Sequence, residues 1–83
     1  MNKKYEMLFI INHQLYSNYA SSKKELKGKL IYFVNDKGLL INDYDRENNI
    51  QVSKKIRGGK WLIYSTSELL SDLKLRYEKG KLI

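Results

Sequence analysis

The sequence predicts an α+β fold: a small antiparallel sheet of four to five strands, built largely from two hairpins, packed by a C-terminal helix and an N-terminal helix. Three observations carry the prediction. Gly58-Gly59 divides two alternating segments, 50–57 and 60–65, as a tight hairpin turn would. A β-branched and aromatic run at 30–34 leads into the turn-forming Asn35-Asp36-Lys37-Gly38. Leu69, Leu70, Leu73 and Tyr77 recur at helical spacing near the C-terminus.

Taken in order, the first element is preferred as a strand over 4–11, apolar on both faces and so suited to burial on both sides. Tyr5, Leu8, Ile11, Leu15 and Tyr19 also step by three and four as a helix would, so strand or helix stays open over 4–20. A helix from about 13 to 27 follows, capped by Asn12 and ended by Gly28, with Leu15, Tyr16, Tyr19, Ala20 and Leu26 on one face. Ser22 followed by Glu25 is a capping-box pattern that would instead start a shorter helix there. Residues 30–34 and 39–44 form the first hairpin around Gly38.

In the second hairpin, a two-residue Gly58-Gly59 turn pairs Arg57 with Lys60 and fixes the register. One face then holds Ile50, Val52, Ile56, Trp61 and Ile63 as a core surface, with Lys54 a misfit at the edge. The other holds Gln51, Ser53, Lys55, Arg57, Lys60, Leu62 and Tyr64. A helix over about 67–79, with Ser65 and Glu68 as its capping box and Gly80 as its stop, completes the chain.

The 83 residues make one domain, 1–83, with a core that covers only about 60–65% of the unfolded surface. With 42% hydrophobic and 30% charged residues, the composition is that of a soluble globular chain. The absence of Cys excludes disulfides, thiolate metal sites and a Cys nucleophile. The apolar run from Met7 to Ile11 is too short to span a bilayer, and no signal-peptide pattern is visible, so a cytoplasmic location away from membranes is expected.

Charge is the main functional signal. Lys and Arg number 16 against 9 Asp and Glu, giving +7, and such a field attracts polyanions. A compositional reading competes with it, because Lys outnumbers Arg 13 to 3 and Asn and Tyr occur 7 times each, as AT-rich codons would supply.

The candidate nucleic-acid-binding residues are Lys54, Lys55, Arg57, Lys60 and Tyr64 on the second hairpin, and Lys23, Lys24 and Lys27 on a helix. Cations on a twisted ribbon can meet phosphates, and a tyrosine among them can stack on an unpaired base. Each set has a plainer reading, as lysines that protect an exposed strand or as a solvated helix face. Lys74, Arg76, Lys79 and Lys81 suit a helix C-terminus and need no ligand.

Tyr32, Tyr44 and Tyr64 fall on the less buried faces and can stack on bases or simply rim a small core. Asp43, Asp45 and Glu47 alternate in a loop, but a calcium loop needs Gly where Asn48 stands. His13 has no partner in sequence that would make it a base. No metal or cofactor is expected.

The leading expectation is therefore a small basic non-enzymatic nucleic-acid-binding protein of low sequence specificity. It would contact RNA or DNA through phosphates, with RNA or single strands favoured. The scarcity of forked guanidinium groups argues against base-edge reading. The alternative is a small protein-binding inhibitor or adaptor of mobile-element, phage-like origin that blocks a host or defence factor. A nuclease using Asp43, Asp45 or Glu47 with His13 is a third and weaker reading. An exposed edge strand can also pair two copies into a homodimer. In outline, a basic hairpin followed by a helix over 50–79 is similar to the chromo-like DNA-coating proteins; that resemblance involves no motif and transfers no residues.

Overall fold

The computed structural model describes residues 3–41 and 49–83. Strand β1 (Tyr5–Ile11) turns directly into β2 (Gln14–Ala20), and helix α1 (Lys23–Asn35) follows. After residues 42–48 the chain continues as β3 (Ile50–Lys55), β4 (Trp61–Tyr64) and helix α2 (Thr66–Leu73), then closes with a small ribbon, β5 (Tyr77–Glu78) and β6 (Lys81–Leu82). The main sheet is antiparallel throughout, in the order β2-β1-β3-β4, with both helices over one of its faces. The fold is thus a small α+β arrangement with an antiparallel sheet, as the sequence predicts, but of the two expected hairpins only the one around Gly58-Gly59 lies where the sequence places it.

The first hairpin lies earlier in the chain than expected. Asn12 and His13 both adopt positive φ, 52° and 65°, so Ile11 and Gln14 pair across a two-residue turn. The segment expected as a helix over 13–27 is therefore β2 and only the start of α1. Its three-and-four apolar spacing does not set the conformation; residue-by-residue pairing with β1 does.

The capping pattern at Ser22 marks the true helix start. The Glu25 N–H donates to Ser22 Oγ (3.2 Å), and Ser21 Oγ donates to the Glu25 carboxylate (2.7 Å). Residues 30–34, expected as a strand, are the last turns of α1. Leu26, Leu30 and Val34 recur every four residues and are fully buried against the sheet. Burial of that stripe outweighs the strand preference of Ile31, Tyr32, Phe33 and Val34. Gly28 lies inside α1 and does not end it, and Gly38 serves the chain reversal after the helix. Of the strand expected over 39–44, residues 39–41 are described and form no strand, with Leu39 and Ile41 buried in the core, while 42–44, Tyr44 included, lie outside the described residues.

The core is a single cluster. Tyr5, Met7 and Phe9 of β1 and Ile50 and Val52 of β3 face Leu26, Leu30, Val34, Leu69 and Leu73 of the helices. Phe9 also meets the Phe33 ring at 4.3 Å between centroids.

α2 stops at Leu73, short of the expected 67–79, because Lys74 takes the left-handed conformation. The rest of that span returns as the β5–β6 ribbon, turned at Lys79-Gly80 and clamped by mutual N–H···O bonds between Arg76 and Ile83 (3.1 and 2.8 Å). Asn35 fastens it to α1: its side-chain amide donates to the Leu82 carbonyl (3.0 Å), and its side-chain oxygen accepts from the Leu82 N–H (2.8 Å).

The second hairpin has the expected partners in a shifted register. The Ile56 N–H donates to the Lys60 carbonyl (2.7 Å), which closes a three-residue turn of Arg57, Gly58 and Gly59. Both glycines take positive φ, 85° and 76°, and Arg57 joins them inside the Ile56–Lys60 closure, so the turn holds one residue more than a Gly-Gly turn would. Lys55 therefore faces Trp61, Ser53 faces Ile63 and Val52 faces Tyr64. A one-residue slip exchanges the faces of β4. Trp61 and Ile63, expected in the core, lie on the open face, 40% and 62% exposed, while Leu62 and Tyr64 turn to the helix side. No helix among the described residues is long and apolar enough to cross a membrane.

Candidate nucleic-acid interface

Antiparallel pairing gathers the starts and ends of several elements at one end of the sheet. β1 begins there opposite the end of β2, since Tyr5 pairs with Ala20. β3 ends there, and the Lys55 N–H donates to the Lys4 carbonyl (2.8 Å). α1 starts from the same end right after Ala20. α2 finishes there, where Lys23 Nζ lies 3.1 Å from the Asp72 carboxylate. Lys3, Lys4, Lys23, Lys24, Lys54, Lys55, Arg57, Lys60 and Lys74 consequently share one end, with Lys27 a turn further along α1.

Some of these cations are engaged internally. Lys3 Nζ sits 4.2 Å from the centre of the Tyr19 ring. Lys23 pairs with Asp72 in an exposed contact that water screens. By contrast, Lys4, Lys24, Lys27, Lys54, Lys55, Arg57, Lys60 and Lys74 form no ion pair among the described residues. Their charge is available to an external anion.

Beside this end, Lys23, Lys54, Tyr64, Ser67, Glu68, Ser71, Asp72 and Lys74 line a shallow, open depression of about 670 Å³. Asp72 is its hub. The Tyr64 hydroxyl donates to the same Asp72 oxygen that Lys23 approaches, at 3.3 Å. The hydrogen bond from Lys23 holds the Asp72 carboxyl below its ordinary range. Burial pushes the Tyr64 phenol up, and the Asp72 charge adds to the effect.

The structure thus divides the eight predicted site residues. Lys23, Lys54 and Tyr64 meet around Asp72. Lys55 projects on the opposite face of the sheet, Arg57 lies in the turn, and Lys60 follows the turn opposite Ile56. Lys24 is exposed and Lys27 half-buried on α1. The expected single face of Lys55, Arg57, Lys60 and Tyr64 does not exist, because the three-residue turn sends Tyr64 to the helix side. Tyr64 is half-buried with its hydroxyl committed, so it presents no free stacking surface. Tyr32 is exposed, but on α1 and not on a strand, with Lys37 Nζ 5.7 Å from its ring centre.

What the sequence reading missed is the open face. There Trp61 and Ile63 of β4 join Leu8 and Ile10 of β1 and Leu15 of β2, with Leu15 71% exposed. Leu8, Ile10, Leu15, Gln51 and Ile63 line a groove of about 610 Å³ on this side. The signal was the continuous apolar run Met7–Ile11, read as a strand covered on both sides; among the described residues only one side is covered. At the edge of this face, a hydrogen bond to Glu6, directly opposite, raises the Tyr19 phenol.

His13 is exposed in the β1–β2 turn, at the end of the sheet away from the cations. No group of three or more His, Asp or Glu side chains among the described residues is placed to hold a metal ion. Asp43, Asp45 and Glu47 lie outside those residues. No known family model, curated protein or solved structure matches the chain, so the outline similarity of 50–79 to chromo-like proteins gains no support.

Proposed function

We propose that the chain is a non-enzymatic nucleic-acid-binding protein that holds phosphates with its cationic end and reads little sequence. The observation that carries this reading is the convergence of cations from β1, α1 and the β3–β4 turn, most of them without an acidic partner. A solvated lysine surface needs no such convergence, because scattered charges serve solubility equally well. Phosphate contact through flexible ammonium groups yields affinity without base-edge specificity. The compartment implied is the cytoplasm, where nucleic acid is accessible.

The test is binding of labelled oligonucleotides by fluorescence anisotropy across a salt series, with Lys55→Glu, Arg57→Glu and Lys60→Glu combined. Wild-type affinity should fall steeply with salt, and the folded triple variant should lose most of its binding. Adding back the residues singly should restore about 0.7 of a unit of log–log salt slope per phosphate contact on a single strand. Wild-type binding by the folded triple variant would remove the turn from the interface. Absence of binding even at about 50 mM salt would make the charge compositional.

A further inference from the structure

Trp61 is the only tryptophan in the chain. It stands on the open face of the sheet, 40% exposed, directly across from Lys55. Lys3 lies over the Tyr19 ring on the same face, while Lys60, just before Trp61 in extended backbone, alternates to the other side. No aromatic ring packs against Trp61 among the described residues. Away from the cationic end the same face continues as a row of Ile63, Ser53, Glu6 and Tyr19, and beyond it as Leu8, Ile10 and Leu15. The pattern is a flat aromatic surface, an apolar shelf behind it and ammonium groups at its rim.

We infer that this face is a stacking platform for unpaired bases, led by Trp61, and that the ligand is a single strand and not a duplex. The inference rests on the proposed phosphate-binding role of the cationic end. Phosphates held by Lys55, Arg57 and Lys60 leave the bases of a flexible strand within reach of the Trp61 ring. Stacking on an aromatic face accepts every base, which accords with low sequence specificity. A duplex keeps its bases stacked on one another and offers Trp61 nothing.

Charge selects this occupant over a second copy of the chain. Two copies meeting on this face would each carry +7 and would bring their Lys55 side chains into a shared, desolvated contact. A polyanion neutralises the same groups.

Trp61 fluorescence reads the contact directly. The probes are an oligothymidylate of about 12 nucleotides, an abasic strand of the same length, and a duplex. Oligothymidylate should quench Trp61 and bind about tenfold or more tighter than the abasic strand, which should bind without quenching. Trp61→Ala should reduce oligothymidylate affinity to the abasic level and leave abasic binding unchanged. Trp61→Phe should recover part of the difference.

Equal affinity for the two strands, with no quenching, would overturn the inference while leaving the cationic end as the binding site. If no strand binds, the functional proposal fails and takes the inference with it. A concentration-dependent dimer in sedimentation, abolished by Ile63→Thr, would show a second copy on the face and would equally overturn the inference. The wild-type comparison needs no variant, so a poorly folded Trp61→Ala cannot obscure the answer.

Discussion

Exchanging isoleucine for threonine at two positions of one hairpin tests the register on which the open face depends. Ile50 and Ile63 lie on β3 and β4, 7% and 62% exposed. Threonine keeps the β-branch and the strand preference but removes roughly two apolar groups and adds a hydroxyl. At Ile50 the loss is about 1.6 kcal/mol of buried apolar surface, at about 0.8 kcal/mol per group. Desolvating the hydroxyl adds about 1–3 kcal/mol, so Ile50→Thr should cost about 3–5 kcal/mol.

At Ile63 only a little over a third of the side chain is covered and the hydroxyl stays in water, so the loss should be about 0.5 kcal/mol. Urea unfolding followed by far-ultraviolet circular dichroism separates the two. With a slope near 1–1.5 kcal/mol/M, Ile63→Thr should move the midpoint by about 0.3–0.5 M, and Ile50→Thr by about 2 M or more. Comparable losses at both sites would mean that Ile63 faces the core. The turn would then hold two residues, and the stacking platform would not exist.

Three further outcomes follow from the structure. Gly28 lies inside α1, and an added Cβ there meets nothing within 4 Å, so Gly28→Ala should raise stability by about 0.5–1 kcal/mol. A loss of stability would indicate a helix end at that position. Asp72 and Glu25 are held below their ordinary values, by hydrogen bonds led by Lys23 and by Ser21. Their contribution is therefore present above the ordinary carboxylate range and lost as pH falls through the lowered values, so urea midpoints should drop below about pH 4.5. That drop should be shallower in Asp72→Asn and in Glu25→Gln. Asp72→Asn also frees Lys23 and removes a negative charge beside the cationic end. Single-strand binding should tighten and its salt slope steepen by up to about 0.7 of a unit, whereas an unchanged slope would place Lys23 outside the interface.

Local chemistry was sufficient for several features. Ser22 with Glu25 and Ser65 with Glu68 mark both helix starts, because each serine hydroxyl accepts the N–H of the glutamate three residues on. Turn glycines and alternation located the β3–β4 hairpin, the apolar run in β1 favoured a strand without excluding a helix, and composition alone established the excess of cations. Tertiary structure decided the rest. The run at 30–34 prefers a strand in isolation, and it is helical here because Leu30 and Val34 complete a stripe with Leu26 that the sheet buries. Asn12 and His13 do not announce a turn as glycines would; pairing of β2 along β1 holds them at positive φ. Whether the Gly58-Gly59 turn holds two residues or three is a difference of one backbone bond, below what sequence resolves. That one bond decides the face on which Trp61 lies, because side chains alternate along a strand and a single-residue shift turns every one of them over.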